Sequence, residues 1–411
     1  SEKQMKKNIS HLITIGRELI SITTELNYKS IATTVFDMYL NRRHSLFPLV
    51  LFSYVVAGCS LFTDNKEIVW HEEKLNKYVI YAYSPGTDSL AIINVEDGQI
   101  LKMLYDIESI QNIVTNRDGS RLFVSTAKGQ AGTNPGKVIM INTSTWEKET
   151  IYDRAVHLLS DRNGGVYFIT KENDPETGFV VTNRRFGIIN PSTGTLTEKD
   201  TIDVRWGARE DYSYVELDPN RPLLYAFDAD DRLYSYNYVT GRIQYLFNEI
   251  NFSMLVRMTL SHNGRSLFML GGPVLDVVNE SVKGTLPVWR LGTAAVRKDM
   301  AEVYITDPGG FLRPPLPSGK VFIYDPTNDQ ITGDILVDVD IPGDDFPIRT
   351  TDDIYLTEIE RYAVVNDRMG TFFVLDLKYR NVTHASSYFD ENNIITLSLE
   401  RIYLAKKPAD L

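Results

Sequence analysis

Between residues 77 and 405 the chain alternates short apolar runs with small polar clusters. The runs are rich in β-branched and aromatic side chains: "VIYAY", "LFVST", "VYFIT", "LLYAF", "LFMLG", "VYITD" and "YAVV". Runs of this length and composition, bounded by Gly, Asn and Asp, predict β-strands. Most follow a tight turn, at Asp118-Gly119, Asn163-Gly164, Asp218-Pro219-Asn220 and Asn263-Gly264. A further apolar strand precedes each turn, as in "NIVTN", "HLLSD", "YVELD" and "RMTLS". After each run comes a hairpin whose first strand ends in Asn or Asp: "AIINVEDGQI", "VIMINTSTWEKE", "GIINPSTGTL", "YSYNYVTGRI", "DVVNESVKGT", "FIYDPTNDQI" and "FVLDLKYRNV". Its marker residues are Asn94, Asn142, Asn190, Asn237, Asn279, Asp325 and Asp376, spaced by 48, 48, 47, 42, 46 and 51 residues. Asn and Asp suit these places because their side chains bond the nearby backbone and tolerate left-handed conformations.

The repeating unit is therefore strand a, turn, strand b, loop, strand c, turn, strand d. One such sheet exposes both faces, so neighbours must stack, and radial stacking closes a ring. The expected fold is all-β: a β-propeller of four-stranded antiparallel blades, seven by the marker count, with eight as the alternative. The first blade begins only at its b strand, "VIYAY". In a seven-blade ring the C-terminal "IITLSL" can supply the missing a strand, which leaves "RIYLAKK" in surplus.

The phrases "NRDGSRLFVST", "SHNGRSLFMLG" and "GKVIMINTSTWEKETI" resemble the repeat of YVTN-type propellers and, more loosely, of the lactonase-like seven-bladed group. The resemblance covers roughly residues 77 to 405 and implies the same ring.

Composition alters the picture at the N-terminus. Of 411 residues, 43% are hydrophobic and 24% charged, an ordinary globular balance. Formal net charge is -11; residues 1–59 hold 7 basic and 4 acidic residues, so the remainder stands at -14. An acidic body with no basic stripe argues against nucleic-acid binding. Cys59 is the one cysteine, which excludes an intrachain disulfide, a Cys-rich metal site and a CxxCH haem attachment. It closes "MYLNRRHSLFPLVLFSYVVAGCS", where Arg42 and Arg43 precede an apolar stretch too short to span a bilayer and Val56-Ala57-Gly58 offers small residues for cleavage. This stretch resembles a bacterial lipoprotein signal. The resemblance implies that Cys59 is lipidated and becomes the mature N-terminus, and Ser60 after it implies outer-membrane delivery. The expected organisation is an upstream leader or mis-called start (1–37), a signal peptide (38–59), a tether (60–76) and a propeller (77–411). The membrane is then met through the lipid anchor only.

In a four-stranded blade the a–b and c–d turns share one rim, and the b–c loops and d–a connections share the other. The turns are short throughout, whereas the loops at 127–137, 171–185 and 307–320 and the connections at 205–211 and 340–350 are long. Insertions collected on one face mark a binding face. The candidate binding rim holds Arg205, Trp206, Arg209, Phe179, Arg184, Arg185, Phe311 and Arg313, because arginine beside aromatics is the usual hot-spot chemistry. Of the histidines in the body (His71, His157, His262 and His384) no two share metal-ligand spacing; His157 begins an a strand and is the candidate to face the central channel. Asp228, Asp230 and Asp231 lack the spacing of a calcium loop and read as a turn, as do Asp344-Asp345 and Asp352-Asp353. No nucleophile elbow, Walker loop or H-E-x-x-H occurs. The expectation is a cell-envelope scaffold that binds an envelope protein, without cofactor or metal. The alternative is a lactonase-like enzyme acting on a small polar metabolite at the channel.

Overall fold

The computed structural model describes residues 68–411 apart from 85–86, 108, 127–135, 162, 171–182, 204–214, 229, 231, 248–256, 271, 287–291, 308–318, 338–350, 368–369, 389–400 and 409–410. The expected leader and signal peptide, Cys59 included, lie outside these residues.

The described strands form seven four-stranded antiparallel sheets, each running a–b–c–d from the centre outwards. This is an all-β, seven-bladed propeller. The a strands are Arg401–Lys406, Ile110–Thr115, Val156–Ser160, Val215–Leu217, Met258–Leu260, Ala294–Val296 and Ile354–Leu356, for blades 1 to 7. The b and c strands lie between neighbouring blades and are buried on both faces. Hence Tyr78–Tyr83 and Thr371–Asp376 are buried at every position, and the first reads as an unbroken apolar run while the second carries one from Phe372 to Leu375. The d strands form the outer edge, so Lys148–Tyr152 and Ser281–Thr285 read as polar. Six apolar clusters join blade to blade round the ring. They include Phe123, Phe168, Phe227, Tyr225 and Tyr304, each worth roughly 1.5–3 kcal/mol on burial.

The ring closes with a different segment from the one expected. Arg401–Lys406, the apparently surplus "RIYLAK", pairs with Tyr78–Tyr83 over six residue pairs from Tyr83↔Arg401 to Tyr78↔Lys406. "IITLSL" lies outside the described residues. The closing strand buries Ile402 and Ala405 between blades and leaves no strand over, so the ring has seven blades.

One marker residue is also corrected. In six c–d turns the expected Asn or Asp accepts the backbone N–H two residues on, as Asn142 Oδ1 does from Ser144 at 3.0 Å and Asp376 Oδ1 from Lys378 at 2.9 Å. In blade 5 the acceptor is Asp276, not Asn279: Val278 N–H lies 3.1 Å from Asp276 Oδ1, and Asn279 donates to the same oxygen at 3.0 Å. The residue four places after each marker then has positive φ: Gly98, Trp146, Gly194, Gly241, Glu280, Asp329 and Arg380.

The segment expected as a tether is, from Val69 onward, part of the propeller body. Glu73 is buried and accepts from Tyr78 Oη (2.5 Å), Thr357 Oγ1 (2.5 Å) and the N–H groups of Ile359 (3.1 Å) and Arg361 (3.3 Å). Trp70 packs on the cluster between blades 6 and 7, and the Arg297 guanidinium lies 4.6 Å above its ring. Among the described residues no helix is long and apolar enough to cross a membrane.

Candidate functional site

Each a strand runs from the long-loop rim towards the short-turn rim, so its first residues stand at the long-loop end of the central channel. All seven a strands line a cavity of about 350 Å³ there. Its walls carry His157, Glu216, Arg257, Thr293, Asp353 and Arg401, with Tyr355 and Tyr403 among them.

The charges form one cluster contributed by three blades. Arg257 Nη1 lies 2.9 Å from Asp353 Oδ1, and Arg401 Nη1 lies 3.5 Å from that oxygen and 3.3 Å from Asp352 Oδ2. All four side chains are at most 11% exposed. The two carboxylates are fixed through their backbone: Asp353 N–H donates to Asn366 Oδ1 (2.8 Å), and the Asp352 carbonyl accepts from Thr293 Oγ1 (2.7 Å) and Thr306 Oγ1 (2.6 Å). Two guanidinium groups against two carboxylates leave the cluster near neutrality. Glu216 accepts the N–H of Leu260, which ties blade 4 to blade 5 at 3.3 Å. Tyr355 stacks edge-on with Tyr403 at 5.9 Å; burial first, and then the charge of Asp353, hold its hydroxyl well above the usual tyrosine range.

The sequence candidates are distributed unevenly around this cavity. His157 is on its wall. Arg184 is buried rather than exposed on the rim, with Nη1 donating to the Thr170 carbonyl at 3.3 Å. It opens the c strand Asn183–Ile189, where alternation turns one residue inward and the next outward. Arg185 is the outward one and pairs with Glu198 on the neighbouring d strand at 2.5 Å. Glu198 also accepts from Tyr152 Oη at 2.7 Å; this bond, with Arg185, holds its carboxyl below the usual range, while burial and Glu198 push Tyr152 up to about 12. Phe179, Arg205, Trp206, Arg209, Phe311 and Arg313 lie outside the described residues.

Asp228 is the buried foot of its b–c turn, accepting from the N–H groups of Asp230 (3.0 Å) and Arg232 (2.9 Å) and paired with the Arg232 guanidinium at 2.7 Å. Among the described residues no group of His, Cys, Asp and Glu could hold a metal ion. Asp352 and Asp353 are not a bland turn: the sequence reading missed them together with Arg257 and Arg401. The available signal was positional. Arg257, Asp353 and Arg401 stand at the mouth end of three a strands, "RMTL", "DIYL" and "RIYL".

The chain thus belongs, by fold, to the seven-bladed β-propellers. No protein-family model matches it, and no curated protein matches it. Several solved structures share the fold. A functionally unknown protein from Desulfotomaculum acetoxidans aligns at 11% identity and TM-score 0.53, covering 80% of this chain and 99% of that one. Sqt1 of Saccharomyces cerevisiae aligns at 11% identity and TM-score 0.52, covering 80% and 86%. The dihydro-heme d1 dehydrogenase NirN aligns at 12% identity and TM-score 0.48 over 77% of this chain, which spans 65% of that one. At these identities the likeness concerns the fold alone.

Proposed function

We propose that the chain is a YVTN-type propeller of the bacterial cell envelope, lipidated at Cys59 and delivered to the outer membrane, that recognises a partner protein through its long-loop rim. The observation that carries this reading is the contrast between the rims. On one, every c–d turn closes within five residues on its own Asn or Asp. On the other, 12 residues separate Thr170 from Asn183 and 13 separate Thr306 from Lys320. Length carried on one face of a rigid repeat is where such proteins place their contacts. Phe179, Phe311 and Arg313 in those segments, and Arg205, Trp206 and Arg209 in the connection between Asp203 and Val215, supply aromatic and guanidinium groups suited to a protein partner. For the anchor, the support is the signal-like stretch ending in Val56-Ala57-Gly58-Cys59.

The test is cross-linked capture from native membranes, comparing the full chain with a variant carrying Trp206→Ala, Arg209→Ala, Phe311→Ala and Arg313→Ala. A partner held by the first and lost by the second supports the reading; equal capture by both sinks it. Cys59→Ala should move the protein to the soluble fraction.

A second reading, an enzyme or receptor for a small polar metabolite, is favoured by the channel cavity with His157 and Glu216 on its wall. Mutual pairing of Arg257, Arg401, Asp352 and Asp353 weighs against it, because a ligand must displace those bonds. A metabolite that raises the melting temperature of the parent but not of a His157→Ala variant would turn the choice towards the channel.

A further inference from the structure

Blades 1, 2, 3, 5, 6 and 7 each place a polar side chain at one level of the channel mouth: Arg401, Asn112, His157, Arg257, Thr293 and Asp353. Strand register sets the level. In blades 2, 3, 5, 6 and 7 the residue stands three places before the end of its a strand. Arg401 stands at the start of the closing strand, opposite Tyr83. In blade 4 the position is 214, outside the described residues.

An innermost strand has no neighbour on its channel side, so its backbone groups there need partners from elsewhere. Two members of the ring supply them. Asn112 Oδ1 accepts from the Leu158 N–H at 2.8 Å, and its Nδ2 donates to the Leu158 carbonyl at 3.0 Å. Thr293 Oγ1 accepts from the Ile354 N–H at 3.0 Å and donates to the Asp352 carbonyl at 2.7 Å. Arg257, Arg401 and Asp353 meet in the mouth cluster, where each charge has a counter-charge within 3.5 Å.

Tyr355 and Tyr403 line the cavity two residues deeper. Tyr403 reaches from blade 1 towards blades 2 and 3, its hydroxyl 3.4 Å from both the Thr115 N–H nitrogen and Ser160 Oγ. The Tyr355 hydroxyl, on the cavity wall, is hydrogen-bonded to none of the described residues.

This arrangement selects by charge. An anion must take Arg257 or Arg401 from its carboxylate, and a cation must take Asp353 from its guanidinium groups. Either exchange leaves a buried charge uncompensated. Glu216, held by the Leu260 N–H, disfavours an anion further. An uncharged molecule can add to the set, because a guanidinium has more donors and a carboxylate more acceptor sites than one ion pair uses. The volume of about 350 Å³ lies within the range of small-molecule sites, roughly 300–1,000 Å³.

We propose that the channel mouth binds an uncharged molecule carrying hydrogen-bond donors and acceptors side by side, the chemistry shared by sugars and nucleosides, with the Tyr355 hydroxyl as one of its contacts. The proposal rests on the channel reading, given second above, and does not depend on what the long loops hold.

The full chain is titrated with D-glucose, D-galactose, adenosine and uridine, and with the charged relatives D-gluconate, D-glucosamine and the two nucleoside 5′-monophosphates. Saturation-transfer NMR reads binding, and thermal unfolding reads stability. At least one neutral probe should bind about tenfold or more tightly than its charged relatives, and whether it is a sugar or a nucleoside names the source. Tyr355→Phe removes one oxygen. It should weaken that binding about three- to tenfold, as for a single hydrogen bond, and leave the melting temperature without probe unchanged. Equal or tighter binding of a charged relative overturns the inference; if His157→Ala abolishes that binding, the channel reading stands without it. Binding by none of the probes overturns it as well. So does a neutral probe whose binding Tyr355→Phe does not weaken, and if His157→Ala leaves that binding unchanged too, the channel reading falls with it.

Discussion

The two ends of the channel are built by opposite rules. At the short-turn rim most turns are closed by a side chain of their own, the exceptions being the a–b turns of blades 6 and 7, capped by Glu360 and Glu73 from elsewhere in the chain. Asp118 Oδ1 accepts the N–H of Ser120, and Asp218 Oδ1 accepts those of Asn220 and Arg221, two and three residues away. At the mouth the charged groups find partners 96 and 49 residues away, on other blades. Local satisfaction repeats with the blade and can be lost one turn at a time. The mouth cluster exists only when blades 5, 7 and 1 are all in place, so it reports closure of the ring.

The largest effect should follow from Asp353→Ala. It leaves Arg257 and Arg401 facing each other with one of their two carboxylates gone, and breaking a buried pair costs about 3–5 kcal/mol. Asp118→Ala at the exposed turn should cost about 1 kcal/mol. Urea unfolding of both measures the contrast. Equal losses would mean that the mouth cluster contributes no more than a turn, and the distinction between the rims would fall.

Gly98→Ala comes next, because its c–d turn is not purely local. Gly98 has φ of 71°, and a Cβ there would lie 1.9 Å from Ser386 Oγ on the d strand of blade 7. Left-handed backbone and a displaced serine together should cost about 2–4 kcal/mol. Ser386→Gly opens the space and should return part of that loss in a double-mutant cycle. No recovery would place the whole cost in the backbone.

These contrasts also explain what could be read in the chain. The blades were legible because b and c strands, buried on both faces, are unbroken apolar runs, and because an Asn or Asp begins nearly every c–d turn. Blade 5 misled by offering two markers: "LDVVNE" holds Asp276 and Asn279, and only register decides that Asp276 takes the N–H of Val278. The closing strand was misassigned because "IITLSL" and "RIYLAK" have equally good strand patterns; pairing with Tyr78–Tyr83 separates them. Asp352 and Asp353 looked like a turn because their partners are remote in sequence. Arg184 looked like a rim residue because its neighbours in the chain are a long loop, while its side chain turns inward. Pairing across blades is the part that local pattern does not carry.

Asp276 tests that lesson with pH. Burial raises the pKa of its carboxyl, but the Asn279 N–H, the Arg265 guanidinium, the Val278 N–H and the Lys283 charge more than reverse this and hold it at about 2. The folded form therefore stays ionised at a pH where the unfolded chain takes up a proton. The stabilisation is complete above pH 4 and is lost as pH falls towards 2. Asp276→Asn should cost about 1.5–3 kcal/mol at neutral pH, as for a hydrogen bond to a charged group. Its unfolding free energy should then fall less steeply than the parent's between pH 4 and 2. Parallel slopes would show that Asp276 is not the titrating group.

The smallest effect sharpens the rule of the short-turn rim. The position four residues after each marker is left-handed in all seven blades, yet only three blades place glycine there. Glu280 is the simplest of the other four. Its φ is 51°, and its side chain accepts one exposed hydrogen bond, from Gln244 at 3.0 Å. Left-handed backbone costs a non-glycine residue roughly 1–2 kcal/mol, whereas glycine gives up about 0.5–1 kcal/mol in chain entropy. Glu280→Gly should therefore stabilise the protein by a few tenths of a kcal/mol, a small rise in melting temperature at unchanged denaturant slope. Destabilisation would mean that the Gln244 bond between blades 4 and 5 outweighs the backbone strain, and that even this rim depends on contacts between neighbours.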